Sequence, residues 1–360
     1  MSGPLVLSVV VPVRNEAGYL RKSLQAILTT DMPRQAYELV VVDDGSTDGS
    51  AAIAGRFADT VIRLAGRGWG PAYARNRAAE LARGDVIAFV DPDVVVEPHT
   101  LPRMLDILAA RPELHAVSAT HASRSGAPNL MSKYWSLLLG FGSKRNVSAT
   151  AAFGSHCGMI RRTALLSAGM YDEWRFKSAC LEDVELGQRL KKSGHNVVLT
   201  GEHPVTHVKR WDLRSIFREV WNRSVLLSRS LGYERTLSSV PGEVVFTLTR
   251  AVIPAMALLT TVALTAAFIP RPSLSLRVLL CVAALVCANF RVLRFFARER
   301  GLFFAAAAVP VHLLTQSVGA AGLCVGWLMR DALGDPLPDA VTQAFAEVGV
   351  EKWPPVPRPL

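Results

Sequence analysis

The chain has few cysteines. Cys157, Cys180, Cys281, Cys287 and Cys324 are the five among 360 residues. They lack the paired spacing of a zinc site, and three of them lie in a strongly apolar region. The scatter excludes a disulfide framework and a cysteine-rich metal site, so we expect each thiol to be a small buried or lipid-facing side chain.

Long apolar runs are absent from residues 1–233, and no basic residue precedes the first short run. That run, Leu5 to Val13, is too short to span a bilayer, so we interpret it as a buried strand and not as a signal peptide. Val244 to Met329, in contrast, is almost continuously apolar, with basic clusters between its segments. We therefore expect a soluble catalytic domain over 1–233, a transmembrane domain of about three helices over 234–330, and a proline-rich tail over 331–360.

Acidic residues are fewer than basic ones, 30 against 40, which gives a net charge of +10. A positive excess suits nucleic acid, anionic lipid or an anionic substrate. Because the cytoplasmic loops of membrane proteins are enriched in Lys and Arg, membrane lipid is favoured as a partner over nucleic acid.

Four β-rich runs follow one another, with helix-like segments between the first three. They are Leu7 to Val11, Leu39 to Val42, Val61 to Leu64 and Val86 to Val90. This spacing is typical of βαβ units and predicts an α/β fold with a mainly parallel, Rossmann-like sheet. A dinucleotide-binding fingerprint is excluded, because Pro71 occupies the third glycine position of the loop that begins at Gly66.

The fourth run ends in Asp91, Pro92 and Asp93. In open α/β sheets ligands bind beyond the carboxyl ends of the strands, so both carboxylates should project into the crevice. Two carboxylates this close repel each other unless a cation lies between them, and their oxygens suit Mg²⁺ or Mn²⁺ carrying a substrate diphosphate. The alternative is an exposed Asp-Pro-Asp turn.

Asp43 and Asp44 follow the second run, where an acidic side chain can accept hydrogen bonds from a ribose or a base. An ordinary turn is the alternative there, since Asp-Gly sequences favour turns. Arg75 lies on the first turns of a predicted helix that ends near Arg83, where it can reach a nucleotide or phosphate or simply lie on a solvated helix face.

The order of these motifs resembles the family 2 glycosyltransferases of GT-A fold. The resemblance covers about Leu5 to Arg223 and rests on Pro12 to Glu16, Val42 to Ser46, Ala74 to Asn76, Asp91 to Asp93 and the pair Glu182-Asp183. It implies a nucleotide-diphosphate sugar donor, a divalent cation (Mg²⁺ or Mn²⁺) on the Asp-x-Asp motif, and inversion at the anomeric carbon. It assigns donor binding to Pro12, Arg14, Glu16, Asp43, Asp44, Arg75 and Asp91.

Glu182 and Asp183 begin a predicted helix that stops near Gly194. The helix dipole alone favours acids there. The resemblance makes Asp183, with Glu182 beside it, the catalytic base that takes the proton from an acceptor hydroxyl while the metal offsets charge on the departing nucleoside diphosphate. An acceptor that is already a phosphate has no such proton, so the pair favours a hydroxyl acceptor over a polyprenyl phosphate, which stays the alternative.

Histidines and cationic or aromatic side chains complete the predicted site. The resemblance implies that His207 joins Asp91 and Asp93 as a metal ligand, a role that neutral imidazole can fill. The candidates for the acceptor side are His156, Trp211 and Arg218. A structural histidine is the alternative for His156.

Three apolar segments are candidate membrane spans: Ala251 to Ile269, the shorter Val278 to Phe290, and Leu302 to Met329. In the last segment His312 and Gln316 should face protein more than lipid. With three spans, the positive-inside rule makes the catalytic domain and the basic loop Arg291 to Arg300 cytoplasmic. Amphipathic helices near residues 130–141 and 213–231 are expected at the interface or, alternatively, packed on the domain.

These expectations together describe a multi-pass inner-membrane protein with a GT-A catalytic domain and an α-helical membrane domain. Its predicted activity is metal-dependent, inverting transfer of a sugar, of hexosyltransferase type, to a hydroxyl of a lipid or lipid-linked glycan in cell envelope polysaccharide or glycolipid biosynthesis. A non-catalytic sugar-nucleotide-binding membrane scaffold is the alternative from another class.

Overall fold

The computed structural model describes residues 6–66, 68–145, 153–178, 180–230, 283 and 286–333. Its strands are β1 (Leu7–Val13), β2 (Tyr37–Asp43), β3 (Thr60–Arg63), β4 (Val86–Val90), β5 (Val94–Val95), β6 (Leu114–His121), β7 (Cys157–Arg161) and β8 (Asn196–His207). Its α-helices are α1 (Ala17–Leu28), α2 (Ser50–Phe57), α3 (Pro71–Leu81), α4 (Thr100–Ala110), α5 (Leu130–Arg145), α6 (Arg162–Ser167), α7 (Glu182–Lys192), α8 (Leu213–Ser230), α9 (Phe290–Arg300) and α10 (Leu302–Leu333). A short 3₁₀ turn covers Arg34–Ala36.

The strands form one sheet in the order β3-β2-β1-β4-β7-β6-β8-β5. The four predicted β-rich runs are strands, and these four pair in parallel, as βαβ units require. Beyond β4 the sheet is mixed, because β7 runs antiparallel to both β4 and β6, and β5 runs antiparallel to β8. The α/β fold class is therefore confirmed, with parallel pairing in the first half and mixed pairing in the second.

The central strand β1 shows why the sheet is buried on both sides. Val9 and Val11 belong to an apolar cluster with residues of α1 and α4, whereas Val10 belongs to a second cluster with residues of α3 and α7. Successive side chains of a strand point to opposite faces, so both faces of β1 are covered by helices. An uninterrupted apolar run is the sequence pattern of such a strand.

A third apolar cluster joins α5, α8, α9 and α10 outside the sheet. α10 packs closely along α8 because glycines lie at the contact. A Cβ atom on Gly326 would lie 2.2 Å from the carbonyl oxygen of Val225, and one on Gly322 would lie 2.9 Å from Cβ of Ser224. Small residues of this kind allow two helix backbones to approach each other.

One helix within the described ranges, Leu302–Arg330 of α10, is long and apolar enough to cross a membrane, a test that a buried core helix also meets. Its His312 and Gln316 are buried, as expected. The predicted span Ala251 to Ile269, most of Val278 to Phe290 and nearly all of the proline-rich tail lie outside the described residues. The two predicted amphipathic segments are the helices α5 and α8.

Candidate active site

The loop after β1 is held by polar side chains of the loop after β2. The first backbone amides of α1 find acceptors there: Glu16 donates to Oγ of Ser50 at 3.1 Å, and Ala17 donates to Oδ2 of Asp48 at 3.0 Å. Asn15 adopts a left-handed backbone with φ of 52°. The neighbouring loop thus supplies the N-terminal capping that α1 lacks in its own sequence, and it fixes the first strand end at the cavity.

Asp43 and Asp44 organise the adjacent loops. The carboxylate of Asp44 accepts the backbone amides of Trp69 at 2.8 Å and Gly70 at 2.9 Å. Burial raises the pKa of Asp44, although both amide donors act in the opposite direction. Asp43 accepts the amide of Ser46 at 3.1 Å, which closes the turn after β2.

Arg75 connects the two acidic motifs. Its Nη2 donates to Oδ1 of Asp91 and its Nη1 to Oε1 of Glu182, each at 2.8 Å. The guanidinium also lies 5.5 Å from the ring centre of Tyr171, and the side chain is only 3% exposed. A buried cation between two carboxylates offsets both negative charges, so Arg75 joins α3, the end of β4 and the start of α7. Contact of Arg75 with a nucleotide stays a prediction.

Strand pairing brings His207 beside the Asp-x-Asp motif. β5 pairs with the end of β8 so that Val94 lies opposite His207, and Nδ1 of His207 is 3.5 Å from Oδ1 of Asp93. Burial raises the pKa of Asp93, but His207 and Lys209 both lower it, and the net direction is downwards. Burial lowers the pKa of His207, but Asp93 and Asp91 both raise it, and the net direction is upwards. The pKa of Asp91 is raised, mainly by burial, despite Arg75.

Two side chains fit a divalent cation. Within the described ranges no three side chains of ligating type form a cluster that could hold a metal ion by themselves. Nε2 of His207 is buried and has no hydrogen-bond partner among the described residues, and the carboxylate of Asp93 lies beside the same ring. One carboxylate and one imidazole suit Mn²⁺ or Mg²⁺ whose other positions are filled by substrate oxygens, whereas Asp91 is already paired with Arg75.

The acidic pair at the start of α7 divides into two environments. Glu182 is buried, and its Oε2 accepts the backbone amide of Cys180 at 2.7 Å while Oε1 accepts from Arg75. Asp183 is half-buried and lines the cavity. Both oxygens of Glu182 are thus engaged inside the protein, whereas Asp183, whose Oδ1 accepts the backbone amide of Val184 at 2.8 Å, lies at the cavity surface.

Three histidines form a cluster beside the Asp-x-Asp motif, in which the rings of His121 and His156 are stacked and that of His207 is tilted. The ring centres of His121 and His156 are 3.8 Å apart, and those of His121 and His207 are 4.9 Å apart. Nε2 of His156 donates to the carbonyl of Ala119 at 2.9 Å. Burial, with a further contribution from His207, lowers the pKa of His156 to about 3, so this ring is neutral at physiological pH.

A single cavity of about 580 Å³ collects most of the predicted site. Its lining includes Pro12, Arg14, Glu16, Asp44, Arg75, Asp91, Asp93, His156, Glu182, Asp183, His207 and Trp211. Two predicted residues are not part of the lining: Asp43 is buried in its turn, and Arg218 is exposed on α8. Glu16 lies at the edge, where it accepts Nζ of Lys209 at 2.9 Å.

Further lining residues were not predicted from the sequence. Helices contribute Trp135 on α5, Glu219 and Arg223 on α8, and His312, Thr315 and Gln316 on α10. The other such residues are His121 at the end of β6 and the loop residues Lys177 and Lys209. Arg223 and Trp135 lie in segments whose helical periodicity was recognised, and His312 and Gln316 were expected to face protein. These four side chains line the same cavity because of the way the helices pack, and the sequence pattern of a single helix does not predict that packing.

The chain is similar to known proteins over part of its length. Residues 8–169 match the family model described as Glycosyl transferase family 2. Glycosyltransferase AglE of Haloferax volcanii is 37% identical over 97 residues, which cover 26% of this chain and 31% of that protein. Poly(ribitol-phosphate) beta-glucosyltransferase of Bacillus spizizenii is 33% identical over 102 residues, which cover 27% of this chain and 16% of that protein. The matched segment is thus less than a third of either relative.

Among solved structures, the chain resembles mannosyltransferase PcManGT from Pyrobaculum calidifontis, determined in complex with GDP-Man and Mn²⁺. The two share 22% identity with a TM-score of 0.59, and the match covers 84% of this chain and 86% of that one. At this identity the likeness is one of fold.

Proposed function

We propose that this chain is a family 2 glycosyltransferase of GT-A fold and that it transfers a sugar from a nucleotide-diphosphate sugar to a hydroxyl of a lipid or lipid-linked glycan; the match of residues 8–169 to the family model supports this. One observation carries the proposal. Arg75 donates hydrogen bonds to Asp91, at the end of β4, and to Glu182, at the start of α7. Asp183 follows Glu182 in the chain, so the Asp-x-Asp motif and the candidate base line one cavity.

The donor belongs at the end of the cavity formed by the first two strand ends. Arg14 and Asp44 line it there, and the loops that carry them are held by the hydrogen bonds described above. The similar mannosyltransferase was determined with GDP-Man and Mn²⁺, which supports a nucleotide sugar and a divalent cation for this fold. The base and the sugar of the donor are not identified by these contacts.

Asp93 and His207 are the residues we assign to the cation. A bound divalent ion supplies positive charge that offsets the charge of the departing nucleoside diphosphate. Asp93 is kept ionised by His207, and the strand pairing of β5 with β8 holds the two side chains together. Asp91 then acts through Arg75, whose position it fixes.

Asp183 is the proposed general base. Asp183 is half-buried and lines the cavity, and the proposed role of its carboxylate is to accept the proton of an acceptor hydroxyl as that oxygen attacks the anomeric carbon. Attack from the side opposite the departing diphosphate inverts that carbon. Glu182 holds the start of α7 through Arg75 and the amide of Cys180, and it thereby positions Asp183.

The proposed location is the inner membrane, with the catalytic domain in the cytoplasm where nucleotide sugars are found. α10 is the candidate anchor, and exposed arginines line the helix before it: Arg291, Arg294, Arg298 and Arg300. Cationic side chains next to an apolar span favour the cytoplasmic surface.

The test is transfer itself. The purified full chain in detergent is incubated with radiolabelled UDP-, GDP- and dTDP-sugars, Mn²⁺ and a bacterial lipid extract, and label in the organic phase is counted. We expect label from one donor class, lost in Asp183→Asn. Label that stays water-soluble with every donor, in protein shown to be folded, would contradict the proposal.

A further inference from the structure

The cavity continues past the candidate base into a region bounded by three helices. We call this region the acceptor arm and define it by Trp135, Leu138, Leu139, Val220, Thr315 and Gln316. α5 and α8 contribute the apolar and aromatic wall, and α10 contributes the small and polar wall. The helix that is long enough to cross a membrane is therefore also a wall of the reaction cavity.

The α10 wall is fixed by a buried polar network. His312 Nδ1 is 2.9 Å from the hydroxyl of Tyr134 on α5, and its Nε2 is 3.1 Å from Oδ1 of Asn289. Gln316 and Asn289 exchange two hydrogen bonds, of 2.5 and 3.1 Å. These bonds tie α10 to α5 and to the segment before α9, so the arm is a preformed space and not a gap between independent helices.

Arg223 lies where the arm meets the base. Its Nε donates to Oε1 of Glu219 at 2.5 Å, one turn earlier on α8. Its side chain is 49% exposed although it lines the cavity, and it interacts electrostatically with Asp183 and Cys180. Nε is held by Glu219, and the guanidinium keeps two terminal amino groups, which together can bind phosphoryl oxygens in pairs.

Two of the other cations that line the cavity are engaged with carboxylates through their terminal nitrogens. Arg75 is committed to Asp91 and Glu182, and Lys209 is committed to Glu16. Arg223 shares only its Nε with a carboxylate. Arg223 interacts electrostatically with Asp183 at the start of α7 and also with His121 and His156, so it lies between the candidate base and the histidines beside the Asp-x-Asp motif.

Resting on the function proposed above, we propose that the acceptor is a phosphoryl-bearing lipid whose phosphoryl group is bound by Arg223 and whose apolar chain lies in the acceptor arm. The order of groups along the cavity is then a reacting hydroxyl at Asp183, a phosphoryl group at Arg223 and an apolar chain against Trp135 and Leu139. A sugar joined through phosphate to a long apolar chain has this order.

The test measures binding without turnover. The full chain in non-ionic detergent is mixed with dodecyl phosphate, dodecanol or inorganic phosphate, and native mass spectrometry counts the bound molecules. We expect one dodecyl phosphate per chain, and at least tenfold weaker binding of the other two probes. Arg223→Ala should weaken dodecyl phosphate binding at least tenfold, Arg223→Lys less, and Arg214→Ala, at an exposed position of the same helix, not at all.

A second pair of variants tests the arm. Gly319→Leu places a side chain into the lined region and should abolish dodecyl phosphate binding, whereas Ala321→Leu, on the exposed side of α10, should not. Equal binding of inorganic phosphate would overturn the role of the chain, and equal binding of dodecanol would overturn the role of Arg223. Weaker nucleoside diphosphate binding in Arg223→Ala, with unchanged dodecyl phosphate binding, would assign Arg223 to the donor instead.

Nucleoside diphosphate binding measured in the same samples separates the two proposals. A chain that binds nucleotide but not dodecyl phosphate contradicts this inference and leaves the glycosyltransferase proposal standing. A chain that binds dodecyl phosphate but no nucleotide contradicts the glycosyltransferase proposal and leaves the lipid-binding role of Arg223 and the acceptor arm standing.

Discussion

Replacing Arg75 with methionine is expected to lower stability far more than breaking an exposed ion pair. Arg75 is 3% exposed, and the side chains of its partners Asp91 and Glu182 are 27% and 6% exposed. Removing one member of a buried pair leaves an uncompensated charge and costs about 3–5 kcal/mol. In a domain of this size, about 1 kcal/mol shifts Tm by roughly 2–4 °C, so we expect a fall of roughly 6–20 °C.

The matched control is Arg34→Met. Arg34 pairs with Asp59 at the surface, where the two side chains are 46% and 39% exposed. Such pairs contribute about 0–1 kcal/mol, so the control should lose no more than about 4 °C. Thermal unfolding followed by tryptophan fluorescence in detergent measures both variants.

A second substitution and a change of pH test whether uncompensated carboxylate charge causes the loss of stability in Arg75→Met. Adding Glu182→Gln to Arg75→Met removes one orphaned charge and should recover part of the loss, which a double-mutant cycle measures. Arg75 lowers the pKa of Asp91, so without Arg75 that pKa rises further, and the loss should be largest at neutral pH and shrink as pH falls. A Tm within 2 °C of the native value at pH 7.5 would refute the reasoning.

The remaining predictions concern the base, the metal, a buried histidine and the α8–α10 contact. Asp183→Asn should lower kcat about 10²- to 10⁴-fold with unchanged nucleoside diphosphate binding by calorimetry, because only proton removal is lost. His207→Ala should weaken Mn²⁺ binding at least about tenfold, measured by electron paramagnetic resonance titration; an unchanged Mn²⁺ affinity would remove His207 from the metal site. His156 is held neutral with a pKa of about 3, whereas the unfolded chain protonates near 6.5, so its stability contribution should be lost as pH falls below 6.5. Between pH 7 and 5 this amounts to about 2 kcal/mol, and His156→Gln should remove that part of the pH dependence of Tm. Gly326→Leu should lower stability by about 1–3 kcal/mol in thermal unfolding, since even its Cβ would lie 2.2 Å from a backbone carbonyl of α8, and an unchanged Tm would show that the helices are not in contact.

The strand ends of the first half of the fold were predictable because each depends on a local pattern. Val86 to Val90 is an uninterrupted apolar run and forms β4 with those bounds. The carboxylates that follow it, Asp91 and Asp93, line the cavity because the chain leaves the sheet there. The acidic residues in the first turn of α7 were likewise visible as an acidic pair at the start of a helical apolar pattern.

What was not predictable depends on contacts between distant segments. The pairing of Arg75 with Glu182 joins residues 107 apart in the chain, so no hydrophobic period within one segment predicts it. The histidine cluster forms because β6, β8 and the loop before β7 meet. His121 at the end of a strand does not by itself predict a functional site. Arg223 was visible as one of several arginines on an amphipathic helix, but its direction depends on how α8 packs against α5 and α10.

The most direct test of the central claim is titration of the full chain with UDP, GDP and dTDP, with and without Mn²⁺, for the native protein and for Asp93→Ala. Isothermal calorimetry in detergent gives each affinity. We predict binding of one nucleotide that strengthens with Mn²⁺ and is lost or becomes metal-independent in Asp93→Ala. Absence of binding by all three nucleotides, in native protein whose thermal unfolding is cooperative, would contradict the account.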